Sequence, residues 1–249
     1  MSETGSFPAP LLQSLRDARR VVALTGAGVS AESGVPTFRD ALSGHWARYR
    51  PEDLATPEAF RRNPKLVWDW YAARRRQLGG VEPNPGHHAL VELERRLPDF
   101  LIATQNVDGL HVRAGSRRVV ELHGNITRTI CSVEGVRVED WDETAETPPR
   151  CPSCGGWLRP DVVWFTEPLP EAAFEESLVA SRGCEVFLSV GTSALVYPAA
   201  SLPLEALSAG AVVVEVNPQP TPLTGRARYF LQGPSGEILP ALIRAAWPG

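Results

Sequence analysis

Five short apolar runs recur along the chain at intervals typical of alternating strands and helices. They cover Val21–Leu24, Phe100–Ala103, Val119–Leu122, Glu185–Val190 and Ala211–Val216. Continuous apolar runs of this length are typical of parallel strands that are covered on both faces. Segments with a helical apolar period lie between and beside them, at Pro8–Arg19, Pro85–Leu97, Pro170–Ser181, Pro198–Ala209 and Ser235–Trp247. This alternation predicts a doubly wound α/β fold with a parallel sheet.

Two stretches of the chain interrupt this alternation. Residues 41–86 contain a helical candidate at Pro64–Leu78 but no clear strand, and residues 127–160 are polar and hold three of the four cysteines. We therefore predict a larger domain formed by residues 1–40, 87–126 and 161–249. A smaller inserted domain, partly helical and partly a cysteine-containing ribbon, is predicted for residues 41–86 and 127–160.

Composition and charge are those of an ordinary globular protein. Of the 249 residues, 43% are hydrophobic and 22% are charged, and the formal net charge is −4. Such a balance favours neither nucleic acid nor an anionic membrane as a partner. The N-terminus lacks the basic start and apolar run of a signal peptide, and the clustered cysteines do not form a disulfide pattern. We therefore expect a cytoplasmic protein that binds neither nucleic acid nor membrane.

The residues that follow the five apolar runs are small or form hydrogen bonds. They are Gly26, Ala27, Gly28 and Ser30 after the first run; Gln105, Asn106 and Asp108 after the second; His123 after the third; Gly191, Thr192 and Ser193 after the fourth; and Asn217 after the fifth. Ligands of open α/β sheets bind at the carboxyl ends of the strands. The glycines would let the backbone approach a phosphate closely, although a Gly-Ala-Gly turn is equally consistent with a simple tight turn. The sequence therefore predicts a nucleotide site at this edge.

Longer motifs at these positions resemble those of the sirtuins. The segment GAGVSAESGVPTFRD (residues 26–40) is similar to the sirtuin signature, with Val35 and Thr37 as departures. Further similar strings follow in the sirtuin order: QNVDGLH (105–111) with Ala-Gly at 114–115, ELHG (121–124), LRPDVVWFTE (158–167), and GTS (191–193) with VYPAA (196–200). The resemblance extends from residue 21 to about residue 236.

The resemblance implies a Rossmann-like NAD-binding domain and an NAD-dependent protein lysine deacylase. Acylated-lysine proteins or peptides would be its partners, and we expect a monomer. The nicotinamide carboxamide would be held by Asp108, and the adjoining ribose by Gln105 and Asn106. The other implied NAD contacts are Phe38 and Arg39 at the reactive ribose, Ser193 and Asn217 at the phosphates and adenosine ribose, Ser235, and the glycine-rich residues already named.

The resemblance also implies the order of the chemical steps. The acyl-lysine carbonyl oxygen attacks the ribose carbon that bears nicotinamide, which departs. His123 then deprotonates a ribose hydroxyl, which attacks the resulting imidate, and Asn106 is the second implied catalytic residue. The products are free lysine, nicotinamide and an O-acyl-ADP-ribose. A lone histidine at a strand end is also consistent with a structural hydrogen bond, but its ordinary pKa suits a general base. The other four histidines are expected to be structural or exposed.

Tyr71 and Arg74 carry the predicted acyl specificity. They lie at i and i+3 of a predicted helix and therefore share one face. The pair resembles the YxxR pattern of class III sirtuins, which implies that it receives the carboxylate of a succinyl or malonyl group. Val163 and Phe165 are the other implied substrate residues, and Thr166 occupies a position where the family usually has glycine. The alternative is that Arg74 belongs to a solvated run of three arginines.

The cysteines predict a zinc site that departs from the usual pattern. A structural zinc ribbon needs two CxxC pairs. The second pair is present as Cys151 and Cys154, whereas the first combines Cys131 with Glu134. Zinc accepts a carboxylate oxygen, so one ion is expected, but a weakly held or lost metal is equally consistent with these residues. Cys184 is expected in the core.

Four other functions share some of these features. A nicotinamide oxidoreductase would use the same fold type, but it would be expected to carry GxGxxG, which is absent here. A mono-ADP-ribosyltransferase would also cleave NAD but would leave the sugar on the acceptor. A binding module built on the cysteine region and a deacetylase without acidic-acyl preference are the remaining alternatives.

Overall fold

A computed structural model describes residues 7–36, 49–142 and 146–248. The strands are β1 (Arg20–Thr25), β2 (Asp99–Thr104), β3 (Val119–Glu121), β4 (Gly124–Cys131), β5 (Leu158–Val162), β6 (Val186–Val190), β7 (Val212–Asn217) and β8 (Tyr229–Gln232). The α-helices are α1 (Ala9–Asp17), α2 (Ala27–Ala31), α3 (Pro57–Arg62), α4 (Pro64–Leu78), α5 (Pro85–Arg96), α6 (Leu110–Ala114), α7 (Glu171–Gly183), α8 (Leu202–Ser208) and α9 (Ser235–Ala246). Short 3₁₀ turns lie at Pro51–Asp53 and Ala199–Ser201.

A six-stranded parallel sheet, in the order β3-β2-β1-β6-β7-β8, forms the centre of the larger part of the fold. The chain passes from β1 to β2 on one side and later returns to β6 on the other side of β1. The carboxyl ends of β1 and β6 therefore border the point where the strand order reverses, which is where ligands bind in such sheets. The predicted doubly wound α/β fold is confirmed.

Alternate residues of the central strands pack on opposite faces of the sheet. Along β1, Val21 and Ala23 belong to a core that also contains residues of α1, α5 and α9, whereas Val22 and Leu24 contribute to a second core with residues of α8. Because both faces are covered, the central strands of this sheet are apolar at nearly every position, with buried Ser189 and Glu215 among the exceptions. This is the physical reason that the runs could be identified from the sequence.

Part of the structure differs from the elements predicted from the sequence. The segment predicted as one helix over Pro198–Ala209 is a 3₁₀ turn followed by the shorter α8, and β8 was not predicted at all. The β8 strand has only four residues at the edge of the sheet, and each of them is partly or fully exposed. Its pattern therefore lacks the continuous burial that marks the central strands. Within the described ranges, no helix combines the length and apolarity needed to cross a bilayer.

A second cluster of elements lies beside the sheet. The β4 and β5 strands form an antiparallel pair, with a register shift between Asn125 and Thr129. Residues of α3 and α4, including Phe60 and Trp70, share a core with Ile126 of β4 and with Val162 of β5. The predicted domain boundaries at residues 126/127 and 160/161 fall inside β4 and β5, respectively, and these two strands pair with each other. The division of the chain into two domains stays a prediction.

Candidate active site

The first and fourth strand-end loops cross each other at close range. The Gly28 N–H donates to the Gly191 carbonyl oxygen at 2.8 Å, and Gly191 has a left-handed φ of +59°. A Cβ atom at Gly28 would lie 2.7 Å from Gly191 Cα, and one at Gly26 would lie 2.8 Å from Gly191 O. The contact between the two loops therefore requires glycine at these positions, whatever phosphate contact they also make. Ala27 is exposed beside them.

Three predicted cofactor residues form one buried hydrogen-bonded group. The Ser30 hydroxyl donates to Asp108 Oδ2 at 2.7 Å, and the Asn106 amide donates to Gly26 O at 3.0 Å and to Ser30 Oγ at 3.1 Å. Burial raises the pKa of Asp108, while the Leu110 N–H, the Ser30 hydroxyl and the charge of Arg74 oppose that rise. The structure thus brings together residues separated by more than seventy positions in the chain.

A second layer of buried residues supports this group and was not assigned to the site from the sequence. The Thr25 hydroxyl donates to Thr104 Oγ1 at 2.8 Å and lies 2.8 Å from His111 Nε2, while His87 Nε2 lies 3.4 Å from Ser30 Oγ. Burial lowers the pKa of His87 to about 4 and that of His111 to about 3, so both rings are neutral at pH 7. The expected structural role of these two histidines agrees with their burial, and His87 lies beside Ser30 of the buried group. A threonine at the end of both β1 and β2 was the available sequence signal.

The ends of β2, β6 and β7 are tied together by side-chain amides. Gln105 Nε2 donates to Thr192 Oγ1 at 2.9 Å, and Asn217 Nδ2 donates to Thr192 O at 3.0 Å. Thr192 is buried, whereas the neighbouring Ser193 is exposed at the same edge. These four predicted residues therefore lie together, with Ser193 accessible to a ligand.

His123 follows β3 and is anchored through one ring nitrogen. Its Nδ1 lies 3.0 Å from Gln105 O, and because a carbonyl can only accept, Nδ1 carries the hydrogen and Nε2 is the basic nitrogen. Burial lowers the pKa of His123, although the contact with Gln105 O opposes the change. The ring is therefore neutral at pH 7, which is the state that a general base requires.

The predicted substrate segment begins directly beside His123. The Val163 N–H donates to His123 O at 2.9 Å, and the Phe165 N–H donates to Ala55 O at 2.9 Å. Phe165 is 51% exposed and Trp164 between them is buried. Thr166 has a φ of +74°, which explains why glycine suits this position.

Tyr71 and Arg74 both lie on the side of α4 that approaches the catalytic edge. Tyr71 is buried, and its hydroxyl oxygen accepts a hydrogen bond from Trp164 Nε1 at 3.1 Å. Burial raises the pKa of Tyr71 to about 12 and lowers that of Arg74, with Tyr71 and Asp108 acting against the second shift. Arg74 is half-buried and its guanidinium carbon lies 4.9 Å from the centre of the Trp70 ring. Of the three consecutive arginines only Arg76 is exposed, so they do not form one solvated run.

The two halves of the predicted metal site are turns with the same backbone hydrogen bonds. In the first, the Gly135 N–H donates to Cys131 O, and in the second the Gly155 N–H donates to Cys151 O, both at 2.9 Å. Both glycines have a left-handed φ, of +68° and +73° respectively. Glu134 therefore occupies in the first turn the place that Cys154 occupies in the second.

The four side chains of these turns fit a single zinc ion. One ligand atom from each of Cys131, Glu134, Cys151 and Cys154 lies within 4.8 Å of the others, and the Cys131 and Cys154 sulfurs are 3.4 Å apart. The Gly156 N–H acts to lower the pKa of Cys154, but the adjacent thiols of Cys131 and Cys151 outweigh it and raise that pKa to about 11. Three thiols this close cannot all ionise without a cation, and a divalent metal would supply that charge. Cys184 lies in the core, as predicted.

Three predicted cofactor residues are not placed with the others. Phe38 and Arg39 lie outside the described residues. Ser235 is buried at the start of α9, where its hydroxyl donates to Glu32 Oε1 at 3.0 Å and the Gly236 N–H donates to the same oxygen at 2.9 Å. This contact caps the helix, and a role of Ser235 in NAD binding stays a prediction.

Comparison with known proteins identifies the family. Residues 26–198 match the model of the Sir2 family. The chain is 51% identical over 255 residues to NAD-dependent protein deacylase 1 of Pseudomonas aeruginosa, with 96% of this chain and 99% of that protein covered. A crystal structure of a Sir2 homologue–NAD complex is 44% identical, with a TM-score of 0.89 over 98% of this chain and 96% of that one. A structure described as Sir2–p53 peptide–NAD+ is 30% identical, with a TM-score of 0.84 over 95% of this chain and 97% of that one.

These similarities cover the strand-end loops, both cysteine turns and the segment beside His123. They confirm the family predicted from the motifs, with NAD as the co-substrate. The matched proteins are neither nicotinamide oxidoreductases nor binding modules. The chain belongs to the Sir2 family and is an NAD-dependent protein deacylase.

Proposed function

We propose that this deacylase acts preferentially on lysine side chains that carry succinyl or malonyl groups and that it retains some deacetylase activity. The observation that carries the proposal is the pair formed by Tyr71 and Arg74. Tyr71 is buried and Arg74 is half-buried, and the charge of Arg74 interacts with Asp108 of the NAD site. A cation at this position would form an ion pair with the carboxylate of a succinyl or malonyl group.

The two side chains offer complementary hydrogen-bond donors. Arg74 carries a guanidinium that can form a forked pair with a carboxylate. Tyr71 already accepts from Trp164, so its own hydroxyl hydrogen is the donor that remains. The raised pKa of Tyr71 keeps that hydrogen in place at neutral pH. A hydrogen bond to a charged group contributes roughly 1.5–3 kcal/mol, which is about 10–150-fold in affinity.

The catalytic residues support the deacylase chemistry. His123 is neutral, and Nε2 would accept the proton of a ribose hydroxyl, since Nδ1 is held by Gln105 O. Asn106 and Asp108 are oriented by Ser30 and would hold the nicotinamide half of the co-substrate. The expected products are nicotinamide, an O-acyl-ADP-ribose and free lysine. ADP-ribose retained on the acceptor protein would instead reveal a mono-ADP-ribosyltransferase.

The substrates would be acylated proteins or peptides that dock along the segment from Val163 to Phe165. Val163 is partly exposed and Phe165 is exposed directly beside His123, whereas Trp164 between them is buried; the two accessible side chains support this proposal. We also propose a cytoplasmic location, which the clustering of three cysteines in a candidate metal site supports. We further propose that the protein acts as a monomer.

The experiment that tests the acyl preference compares succinyl, malonyl and acetyl forms of one peptide with NAD. The wild-type protein should favour the acidic acyl groups, measured as kcat/KM. Arg74→Met removes the charge and all donors but keeps much of the side-chain length, so the succinyl-to-acetyl ratio should fall at least about tenfold. Arg76→Met, an exposed arginine on the same helix, is the matched control. Equal losses for succinyl and acetyl in Arg74→Met would show that Arg74 is only structural.

A further inference from the structure

The indole of Trp164 is the side chain that contacts the Tyr71 hydroxyl. Trp164 is 3% exposed, and its Nε1–H donates to Tyr71 Oη at 3.1 Å. The two ring centroids are 6.4 Å apart with an interplanar angle of 40°. Trp164 lies between Val163 and Phe165 in the chain, but it points into the core that contains α3 and α4.

Side chains of other elements hold this indole in one orientation. The guanidinium carbon of Arg159 lies 3.4 Å from the Trp164 ring centroid, and the Phe60 ring centroid lies 5.2 Å from it. Arg159 also forms a forked ion pair with Glu167, with N–O distances of 2.6 and 2.9 Å. The second Glu167 oxygen accepts from the backbone N–H of Trp164 at 2.8 Å.

The Arg159–Glu167 pair is shielded from solvent, since the two side chains are 12% and 24% exposed. Burial acts to raise the pKa of Glu167, but Arg159 and the Trp164 N–H outweigh it, and the pKa is lowered. Glu167 is therefore a carboxylate throughout the neutral range. The indole and its own backbone are thus held by the same charged pair.

From this geometry we infer that Trp164 is a positioning residue for recognition of the acyl carboxylate. The inference rests on the proposed function of Tyr71 and Arg74. A phenol hydroxyl lies near the ring plane and has two opposite orientations. The indole N–H occupies one side of the Tyr71 oxygen, so the hydroxyl hydrogen must point to the other side and is presented to the ligand. Without the indole donor, Tyr71 would distribute that hydrogen between both orientations.

The test is a double-mutant cycle on acyl selectivity. Trp164→Phe removes the N–H donor and keeps an aromatic ring, and Tyr71→Phe removes the hydroxyl. Tyr71→Phe removes a hydrogen bond to a charged group and should lower the succinyl-to-acetyl ratio of kcat/KM by at least about tenfold. Trp164→Phe keeps the hydroxyl but divides its hydrogen between two orientations, so it should lower the ratio by about 2- to 3-fold. In the double variant the two losses should not multiply, because both remove the same interaction.

Two further variants separate positioning from packing. Trp247→Phe makes the same exchange at the end of α9, where Trp247 contacts Arg96, and should leave the ratio unchanged. Glu167→Gln keeps the shape of the side chain but weakens its pair with Arg159, so it should lower the ratio in the same direction as Trp164→Phe. It also provides a test if Trp164→Phe does not fold.

The possible results distinguish the positioning role of Trp164 from the proposed acyl preference. If the wild-type protein prefers succinyl, but Trp164→Phe and Glu167→Gln keep that preference, the positioning role is wrong and the proposed function stands. The same holds if the losses of the two single variants multiply in the double variant. If the wild-type protein removes acetyl as efficiently as succinyl, the proposed acyl preference fails and the inference fails with it.

Discussion

The zinc site provides the sharpest prediction, because Glu134 lies in a turn whose partner turn carries cysteine at the same place. Glu134→Cys would complete four thiolates on a backbone that already has the required shape. Glu134→Gln keeps the size of the side chain and removes its negative charge. We expect zinc to be held most tightly by Glu134→Cys, less tightly by the wild-type protein, and least tightly by Glu134→Gln.

The magnitude follows from the geometry and from the ligand chemistry. The exposed Glu134 carboxylate has an oxygen 3.8 Å from the buried Cys151 sulfur, so it can reach the ion but is open to water. Zinc in structural sites is bound predominantly by thiolate and imidazole. We expect Glu134→Cys to bind zinc about 100-fold more tightly, which corresponds to about 2.7 kcal/mol of stability when free zinc exceeds both dissociation constants. For a chain of this size, that gain raises Tm by roughly 5–10 °C.

The assay is competition for zinc with a chromophoric chelator, followed by elemental analysis and by thermal unfolding with and without chelator. Glu139→Gln is the control, because Glu139 is an exposed acid near the same turn that pairs with Arg137. Equal zinc retention in the wild-type protein, Glu134→Cys and Glu134→Gln would refute the assignment of Glu134 as a ligand. Tight binding by the wild-type protein together with loss in Glu134→Gln would instead show that a three-cysteine, one-glutamate site is strong.

Three other predictions follow from the described side chains. His123→Ala should lower turnover by about 10²–10⁴-fold, and undiminished turnover would contradict its role as the base. Because the pKa of His123 is lowered, the acid limb of kcat/KM in the wild-type pH–rate profile should lie below pH 6.5. His87 and His111 have folded pKa values of about 4 and 3, below the ordinary 6.5. The stability that they contribute is therefore present above pH 6.5 and should be lost as pH falls toward 4. A denaturation series against pH measures this loss, and a flat profile would contradict their neutral burial. Thr166→Gly should relieve a left-handed φ and stabilise the protein by about 1 kcal/mol, measured as a higher Tm. Thr166→Ala keeps the Cβ and should give no gain. A lower Tm for the glycine variant would show that the turn is not strained.

The catalytic edge of the sheet was predictable because the motif residues follow apolar runs that are buried on both faces. Asn106, Asp108 and His123 follow β2 and β3, and once the strands are recognised their neighbourhood is determined by parallel pairing. The β8 strand had no such signal, since an edge strand of four partly exposed residues lacks continuous burial. The second layer of Thr25, Thr104, His87 and His111 was missed for another reason: its partners come from separate elements.

The sequence by itself determined which residues follow the central strands, the family and the donor set of the zinc site. These properties depend on local apolar patterning and on residue type. Only the tertiary structure decided why Gly26 and Gly28 must be glycines, since the contact is with the backbone of Gly191 more than 160 residues later. It also decided that the two cysteine turns bring their four ligand atoms within 4.8 Å of one another and that Trp164 donates to Tyr71. Contacts of this kind depend on which elements pack together, and packing is determined by the shape of the whole core, which no segment of the sequence specifies alone.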